Sequence, residues 1–595
     1  MEIAGDRVHV RRVALCIAAM LLALHAPAGN PGLSEASPSL DTLPLARGLA
    51  IRAGLGRQVE LLVRPVAGET WTGIARKYAA GRGASGTIAR LNGKEAPPPD
   101  RDARIPLSLL NDDYRALVLL NLFPEDRLEQ GEWVHIARSG RLPTPDEGLW
   151  QVAEWFAGDG RKFREIARRN ALSSPELSMG QTVRVPAGLL HHAFLPGPAS
   201  DDGALAFGED AEGPFGGYRL KPGEALYSAV VMRFTGRTDP DDVNAVATEL
   251  AARSGIGDVT DIPVGFRVRI PFDLLEPEFL PAGHPRRREA EAAGKEMAEE
   301  LHREPVRPAG RGLEGVLVIL DPGHGGRDAG TTNHGIREHD YAYDVACRLK
   351  ALLESETAAR VVMTLEEPGV GFRPSTGDHV EASREGTLLT DPPFRAREEG
   401  ESSIGVNLRW YLANSILRKA GRAGTPQDRV VFLSLHADSR HPSLRGLMVY
   451  VPGQRFRRGT QGQSGEGYDR FREVREAPTV RFARRDLVRS EAVSRRLATA
   501  IVEAFRANDL PVQPFHPVRD QVIRGRRTWL PAVLRGNAVP AKALVEMVNL
   551  SNAQDAALLG SSRERSRLAR ALERALLSYF DGSPPSIARS TVSPP

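Results

Sequence analysis

The sequence predicts two kinds of fold in one chain of 595 residues: a C-terminal α/β domain and, before it, small α+β modules. The chain is too long for a single hydrophobic core, because cores stop growing at about 250–300 residues. In its C-terminal half, apolar runs of strand length alternate with helical patterns. In its N-terminal half, a weak repeat recurs at intervals of roughly 80 residues, which indicates repeated modules.

The alternation in the C-terminal half predicts a mainly parallel sheet with helices on both faces. Continuous apolar runs rich in β-branched residues indicate strands that are buried on both faces. The predicted strands are Val316 to Leu320, Arg360 to Thr364, Val430 to Leu435 and Ala543 to Val548. The predicted helices are His339 to Leu353, Gly405 to Leu417, Ser490 to Phe505 and Glu564 to Phe580.

The N-terminal repeat consists of a turn, an amphipathic helix, a second short helix and a strand that ends in proline. Its strand ends are IPLSLL (Ile105 to Leu110), VPAGLL (Val185 to Leu190) and IPFDLL (Ile270 to Leu275). In the first copy, Trp71, Ile74, Ala75 and Tyr78 share one helical face. The motifs Gly68-Glu69-Thr70-Trp71, Ile74-Ala75 and Leu91-Asn92 resemble LysM, a small peptidoglycan- and chitin-binding domain.

This resemblance predicts three LysM-like modules, at residues 60–110, 133–190 and 218–275, the last two being degenerate. The third has no asparagine at its helix end. Binding to glycan is the expected role, and a structural role or binding to a protein partner remains the alternative. Because residues 191–217 and 276–312 are polar and rich in Gly or Pro, we expect them to be disordered linkers, as we do the tail at 581–595.

The N-terminus predicts export. Arg7, Arg11 and Arg12 precede a short apolar run that ends in Ala26-Pro27-Ala28, which is typical of a cleavable signal peptide over residues 1–28. An uncleaved anchor is the alternative. We therefore expect a periplasmic monomer with no stable membrane span after cleavage. The net charge of +4 favours anionic partners in general and does not indicate which kind. Export argues against nucleic acid as a partner.

Four polar residues are predicted to meet at one edge of the sheet. His324 and His436 follow predicted strands, Glu546 lies within or just past the fourth strand, and Glu338 opens the helix after the first strand. Ligands bind beyond the carboxyl ends of parallel strands. Two histidines and a carboxylate suit a catalytic Zn²⁺ site, and a further glutamate beside it can act as general base. A phosphate-binding loop fits less well, because GHGGRDAG lacks the Lys and Ser/Thr of such a loop.

Five motifs in this region together resemble zinc-dependent N-acetylmuramoyl-L-alanine amidases of the type-3 family. They are LDPGHGGRDAG, GIREHDYAYDVACRL, LRWYLAN, VFLSLHAD and AKALVEMVNLSN, and they place an amidase domain at residues 313–580. The resemblance implies that His324, Glu338 and His436 bind zinc and that Glu546 is catalytic. It also implies hydrolysis of the bond between N-acetylmuramic acid and L-alanine of peptidoglycan, in wall remodelling or daughter-cell separation.

Other functions remain open from the residues alone. A zinc peptidase that cuts within the stem peptide would use the same metal chemistry, and a non-catalytic wall-binding protein could retain the fold. Asp321 and Asp438 are candidates to orient the ligand histidines by accepting hydrogen bonds from their rings, with capping or turn roles as the alternative. Three nearby histidines match no ligand position: His334, His339 and His441. Asn414 and Asn552 match positions of the family, with turn or capping roles as the alternative.

Two polar insertions, near residues 366–404 and 451–489, interrupt the predicted amidase domain. Some relatives cover their zinc with an inserted helix until an activator removes it. We therefore expect one insertion to restrict the site and a protein activator to relieve that restriction. A surface elaboration without regulatory effect is the alternative.

Overall fold

The computed structural model describes residues 41–54, 57–93, 95–195, 197–310, 312–397 and 401–581. The predicted signal peptide at 1–28 and residues 582–595 of the predicted tail lie outside these ranges. Within them, no helix combines the length and the apolar character needed to cross a membrane.

Module 1 consists of a four-stranded antiparallel sheet and two helices. The sheet has the order β1-β2-β3-β4, and helices α1 and α2 lie between β3 and β4 in the chain. Thr70 caps α1 by accepting a hydrogen bond from Gly73 N. The elements are β1 (Thr42–Ala46), β2 (Leu49–Gly54), β3 (Arg57–Val63), α1 (Trp71–Tyr78), α2 (Ala84–Asn92) and β4 (Ala103–Pro106).

Module 2 repeats the strand–helix–helix–strand order, with an additional helix before it and an additional strand. Its sheet has the order β5-β6-β7. A fully buried histidine, His135, lies between the carboxylates of Asp126 and Glu147. The elements are α3 (Asp112–Leu122), β5 (Arg127–Glu129), β6 (Glu132–Ile136), α4 (Leu149–Ala157), α5 (Phe163–Arg169) and β7 (Thr182–Pro186).

The asparagine at the helix end has the same structural role in both modules. The Asn92 side chain donates to Arg104 O at 2.8 Å and accepts from Arg104 N at 2.7 Å, which ties the second helix to the last strand. Asn170 makes the same pair of bonds with Arg184. In module 3 the place is taken by Ser254, whose hydroxyl accepts from Arg269 N at 2.9 Å. The missing asparagine therefore leaves the module intact.

Module 3 begins earlier than predicted. Residues 191–217 were expected to be a disordered linker, but this is wrong for their second half, which forms the hairpin β8–β9 and pairs with β10. Leu205 and Phe215 supply the buried apolar surface that orders it. The elements are β8 (Ala206–Asp210), β9 (Gly213–Arg219), a π-helical turn (Leu226–Met232) continued by α6 (Arg233–Thr235), α7 (Pro240–Ser254) and β10 (Arg267–Pro271).

The second predicted linker, residues 276–312, also differs from the prediction, because it contains the 19-residue helix α8 (Pro285–Arg303). Pro285 at its first position and the His284 side chain, which accepts from Arg286 N, begin the helix. Glu300 and Glu296 form ion pairs with Arg485 and Arg484. The helix packs against the segment Arg484–Ala507 of the C-terminal domain, to which these ion pairs join it.

The C-terminal domain has a six-stranded sheet of order β14-β11-β17-β24-β18-β21. The first four strands are parallel, as predicted, but β18 is antiparallel to β24, so the sheet is mixed. The strands are β11 (Leu317–Pro322), β14 (Arg360–Met363), β17 (Val430–Asp438), β18 (Met448–Tyr450), β21 (Val518–Arg519) and β24 (Ala541–Asn549). The two additional strands have two or three residues each, too few for a periodic signal in the sequence.

Helices cover both faces of this sheet. Val318 and Leu320 face a core formed with α9, α13 and α16, while Leu317 and Ile319 face a second core with α10 and α14. The helices are α9 (Glu338–Glu356), α10 (Ser402–Arg422), α11 (Glu466–Asp469), α12 (Arg472–Glu476), α13 (Arg484–Ala507), α14 (Ala532–Arg535), α15 (Ala553–Gly560) and α16 (Ser562–Phe580). The four predicted helices correspond to α9, α10, α13 and α16.

Four short hairpins decorate the described part of this domain, two of them in the insertions. Their strands are β12 (Thr332–Asn333), β13 (Ile336–Arg337), β15 (Leu365–Glu366), β16 (Thr387–Leu388), β19 (Thr460–Gly462), β20 (Thr479–Arg481), β22 (Val522–Arg524) and β23 (Arg527–Trp529). The first insertion is anchored in the core by Leu388 and Phe394.

Candidate metal and catalytic site

The structure brings the three predicted metal ligands together. One ligand atom from each of His324, Glu338 and His436 lies within 4.8 Å of the others. Glu338 is at the centre: its Oε1 is 3.2 Å from His324 Nε2 and 2.9 Å from His436 Nδ1. We call these three residues the ligand cluster.

Backbone groups fix Glu338 at the first turn of α9. Its Oε1 accepts from Ala437 N at 3.1 Å, and its Oε2 accepts from Thr331 N at 2.8 Å. Burial opposes its ionisation, but His324 and His436 outweigh that and hold the pKa of Glu338 far below its usual range. The carboxylate is therefore charged and poised to interact with a cation.

The glycines of LDPGHGGRDAG provide space for the two histidines. A Cβ at Gly323 would overlap the His436 ring. Gly330 has φ +66°, and a Cβ there would lie 2.6 Å from His324 Cδ2 and 2.5 Å from Glu338 Oε2. At these two positions the backbone approaches the ligand cluster more closely than a residue with a Cβ could.

Glu546 lies next to the ligand cluster on β24, in register with His436 on β17. Its Oε2 is buried and has no hydrogen-bond partner within the described part of the chain. Burial raises its pKa well above the usual value, Asp438 and Glu338 add to the rise, and Arg440 opposes it. An unsatisfied buried carboxyl is costly, so its place beside two histidines and a carboxylate fits a group that exchanges protons with a bound water or substrate.

Arg440 is a member of the site that the sequence did not reveal. Its side chain forms an ion pair with Asp438 and donates to Tyr450 Oη at 2.9 Å. Its backbone N–H donates to Asn549 Oδ1, at the end of the strand that carries Glu546. Asp438 was a candidate to orient a histidine, but its carboxylate contacts Arg440 and Ser439 N instead.

Asp321, the other candidate to orient a histidine, also has a different role. Its carboxylate accepts hydrogen bonds from Thr364, Ser434 and Arg409. Arg409 in turn donates to Pro322 O and His324 O, so Asp321 supports the histidine loop through an arginine. The carboxylate next to His324 is Asp328, whose Oδ1 lies 3.0 Å from His324 Nδ1. Asp321 and Asp328 both sit in the motif LDPGHGGRDAG, where spacing alone cannot show which side chain turns back toward His324.

The remaining polar residues lie outside the ligand cluster. His339 is buried and bonds Gly323 O and Glu367, which fixes the loop before His324. Asn414 bonds Gly536 O and Ala538 N, and Asn552 caps α15. His334 is exposed. His441 stacks on Tyr227 of module 3.

The first insertion packs against the histidine loop. Arg327 N donates to Ala396 O at 3.0 Å, and Leu388, Phe394 and Ala396 line a cavity of about 20 Å³ beside His324. About a quarter of the His324 side chain is exposed. The insertion therefore supports the loop directly, and restriction of the site by it stays a prediction.

Module 3 contacts the loop that carries Arg440. Thr238 O accepts from His441 N at 2.9 Å, and Leu444 is buried in the core of module 3. Further along, Arg233 O and Gly236 O accept from His516 and Arg519 of the C-terminal domain. The loop after His436 is thus held from the sheet on one side and from module 3 on the other.

Comparison with known proteins finds a family whose model matches the segment that contains this site. Residues 318–578 match the family model described as N-acetylmuramoyl-L-alanine amidase. That match supports the prediction of an enzyme of this class. The matched segment contains all four predicted residues, from His324 to Glu546.

Similar proteins carry related names. An uncharacterized cell wall amidase of Bacillus anthracis is 24% identical over 272 residues, which are 45% of this chain and 36% of that protein. A germination-specific N-acetylmuramoyl-L-alanine amidase of Bacillus subtilis is 22% identical, covering 46% of this chain and 84% of its own. The chain thus spans about a third of the length of the first relative. The Ami1 amidase structure from Mycobacterium smegmatis is 18% identical, with a TM-score of 0.28, covering 45% of this chain and 98% of that one.

Proposed function

We propose that the protein is an exported, zinc-dependent peptidoglycan amidase that cleaves the bond between N-acetylmuramic acid and L-alanine of the stem peptide. The observation that supports this most is the ligand cluster beside the unpartnered Oε2 of Glu546. Two imidazoles and one carboxylate are the ligand set of catalytic zinc sites that keep a position open for substrate or water. Periplasmic location, wall remodelling or cell separation as its role, and a protein activator belong to the same proposal.

The residues present fit a zinc ion. His324, Glu338 and His436 would hold it, and zinc would supply Lewis acidity to the scissile carbonyl and to the attacking water. Asp328, beside His324 Nδ1, would keep the other ring nitrogen turned toward the ion.

Glu546 performs the proton transfers in this proposal. Its Oε2 takes a proton from the attacking water and then passes it to the amine of L-alanine as the C–N bond breaks. Its raised pKa suits both steps, because a carboxyl that binds a proton more readily than usual can take one from water and return it to the amine. The charge of Arg440 opposes that rise in pKa.

The test is mass spectrometry of sacculi digested by the wild-type chain and by Glu546→Gln. We expect free stem peptides with an exposed L-alanine amine from the wild type, and a rate about 10²–10⁴-fold lower from Glu546→Gln. Glu381→Gln, at an exposed position of the first insertion, is the matched control and should act like the wild type.

Two other outcomes would contradict the proposal. Shortened peptides still attached to muramic acid would show a peptidase that cuts within the stem peptide. Binding to sacculi without any product, in protein that contains one zinc ion at the ligand cluster, would show a wall-binding protein that has kept the fold.

A further inference from the structure

The first insertion joins the two segments that carry His324 and Glu338. Glu367, near the start of the insertion, is buried, and its Oε1 lies 2.6 Å from Nε2 of the fully buried His339. Nδ1 of the same ring donates to Gly323 O at 2.7 Å, because a carbonyl oxygen can only accept. Both ring nitrogens therefore have partners. We call His339 and Glu367 the buried pair.

The ring of His339 lies next to the chain around all three predicted ligands. His339 follows Glu338 in α9, and Gly323 precedes His324 in the loop. Gly323 also packs against the third ligand, since a Cβ at this position would overlap the His436 ring. The bond between His339 and Gly323 therefore fixes the loop relative to the first turn of α9.

Ser383 connects the insertion to the same turn of α9. Its Oγ donates to Glu367 Oε2, its N–H donates to Asp340 Oδ1 at 3.1 Å, and its carbonyl accepts from Arg337 at 3.0 Å. Arg337 and Asp340 lie on either side of Glu338 in the sequence. The insertion thus contacts the chain both before and after this predicted ligand.

Gly386 of the insertion packs directly on the buried pair and on the histidine loop. A Cβ at this position would lie 2.5 Å from Glu367 Oε1, 3.1 Å from His339 Nε2 and 3.0 Å from Gly326 N. A larger residue at Gly386 would therefore have to move the buried pair or the loop. The insertion, the buried pair and the loop form one packed unit at this point.

We propose that Glu367 is a positioning residue for the metal site and acts through the ring of His339. The ring fixes the loop that presents His324 and the turn that presents Glu338. This inference rests on the proposed function, because it concerns the same metal site. It gives the insertion a role opposite to restriction: the insertion helps to build the site, so disturbing the buried pair lowers the affinity for metal instead of releasing activity.

The Zn²⁺ affinity of the full chain tests this proposal, measured without substrate by competition with a chromogenic chelator. Glu367→Leu should weaken Zn²⁺ binding about tenfold or more, because it leaves His339 Nε2 buried without a partner and loosens the support behind the ligands. Glu367→Gln should restore most of the affinity, because its amide can still form a hydrogen bond with that nitrogen.

Two pairs of milder variants separate positioning from general support of the fold. Gly386→Ala should weaken Zn²⁺ binding, whereas Gly369→Ala, with nothing within 4 Å of its Cβ, should not. Thr390→Val removes a buried hydrogen bond to Pro392 O elsewhere in the insertion. Unlike Glu367→Leu, it should lower the melting temperature of the metal-free chain and leave the Zn²⁺ affinity unchanged.

Three outcomes would overturn the proposal. The first is equal Zn²⁺ affinity in the wild type and Glu367→Leu, or equal losses in Glu367→Leu and Thr390→Val. The second is higher basal activity in Glu367→Leu, which would show that the insertion restricts the site. The third is a wild-type chain that binds no Zn²⁺, which would also refute the proposed zinc-dependent function, whereas the first two leave that function intact. If Glu367→Leu does not fold, the comparison of Gly386→Ala with Gly369→Ala decides.

Discussion

The buried histidine of module 2 makes the stability of that module depend on pH. His135 Nδ1 lies 2.7 Å from Asp126 Oδ2, and its Nε2 lies 3.0 Å from Glu147 Oε1, with all three side chains fully buried. Burial alone would lower the pKa of His135, but the hydrogen bonds with Asp126 and Glu147 raise it to about 9. The charged imidazolium is therefore the stable form in the folded module.

The sign and size of the effect follow from linkage. Because one pKa unit corresponds to about 1.4 kcal/mol, a rise from about 6.5 in the unfolded chain to about 9 contributes roughly 3 kcal/mol. That stability is fully present below pH 6.5 and is lost as the pH rises through 9. Removing the proton leaves two buried carboxylates without a cation between them.

Hydrogen exchange of the full chain, read on peptides that cover residues 126–147, measures this. After correction for intrinsic exchange rates, protection should fall about 100-fold between pH 6.5 and 9, while peptides from β17 should change much less. His135→Gln should lower protection at pH 6.5 and remove the pH dependence. A module whose protection stays constant across this range would refute the assignment of a charged His135.

Three further predictions concern the C-terminal domain. Gly330→Ala should fold but lose tightly bound zinc, measured by elemental analysis, whereas Gly335→Ala, also at positive φ but with nothing within 4 Å of its Cβ, should retain it. Arg440→Ala removes the cation that opposes the raised pKa of Glu546, so the acidic limb of the pH–rate profile should move to higher pH; an unmoved limb would contradict its role. Leu444→Ala should lower the free energy of unfolding by about 2–5 kcal/mol in denaturant melts, because this leucine is buried in the core of module 3.

The sequence was most informative where a pattern extends over many residues. The four parallel strands and four long helices were predictable because each buries a periodic or continuous apolar run, and strand ends then placed His324, His436 and Glu546 at one edge. The antiparallel strand β18 was not predictable, since three buried residues carry no period.

Long-range contacts between side chains were beyond sequence reasoning. Asp321 and Asp328 flank His324 in the same motif, and only the loop conformation decides that Asp328 approaches the ring while Asp321 binds Arg409. Helix α8 was missed for a different reason: its sequence has helix-forming residues and proline at the first position, but too few apolar residues to predict that it would be ordered. Its ion pairs with α13 join residues nearly 200 positions apart.

The contacts of module 3 separate its role from that of modules 1 and 2. Its backbone accepts hydrogen bonds from His441, His516 and Arg519, and its core includes Leu444. His441 and Leu444 belong to the loop that also carries Arg440, so module 3 contacts the same loop that places a cation beside Glu546. In module 3, Ser254 replaces the asparagine of the other two modules and accepts the corresponding hydrogen bond from the last strand. Module 3 is thus better understood as part of the catalytic unit, and modules 1 and 2 remain the candidates for holding that unit on the wall.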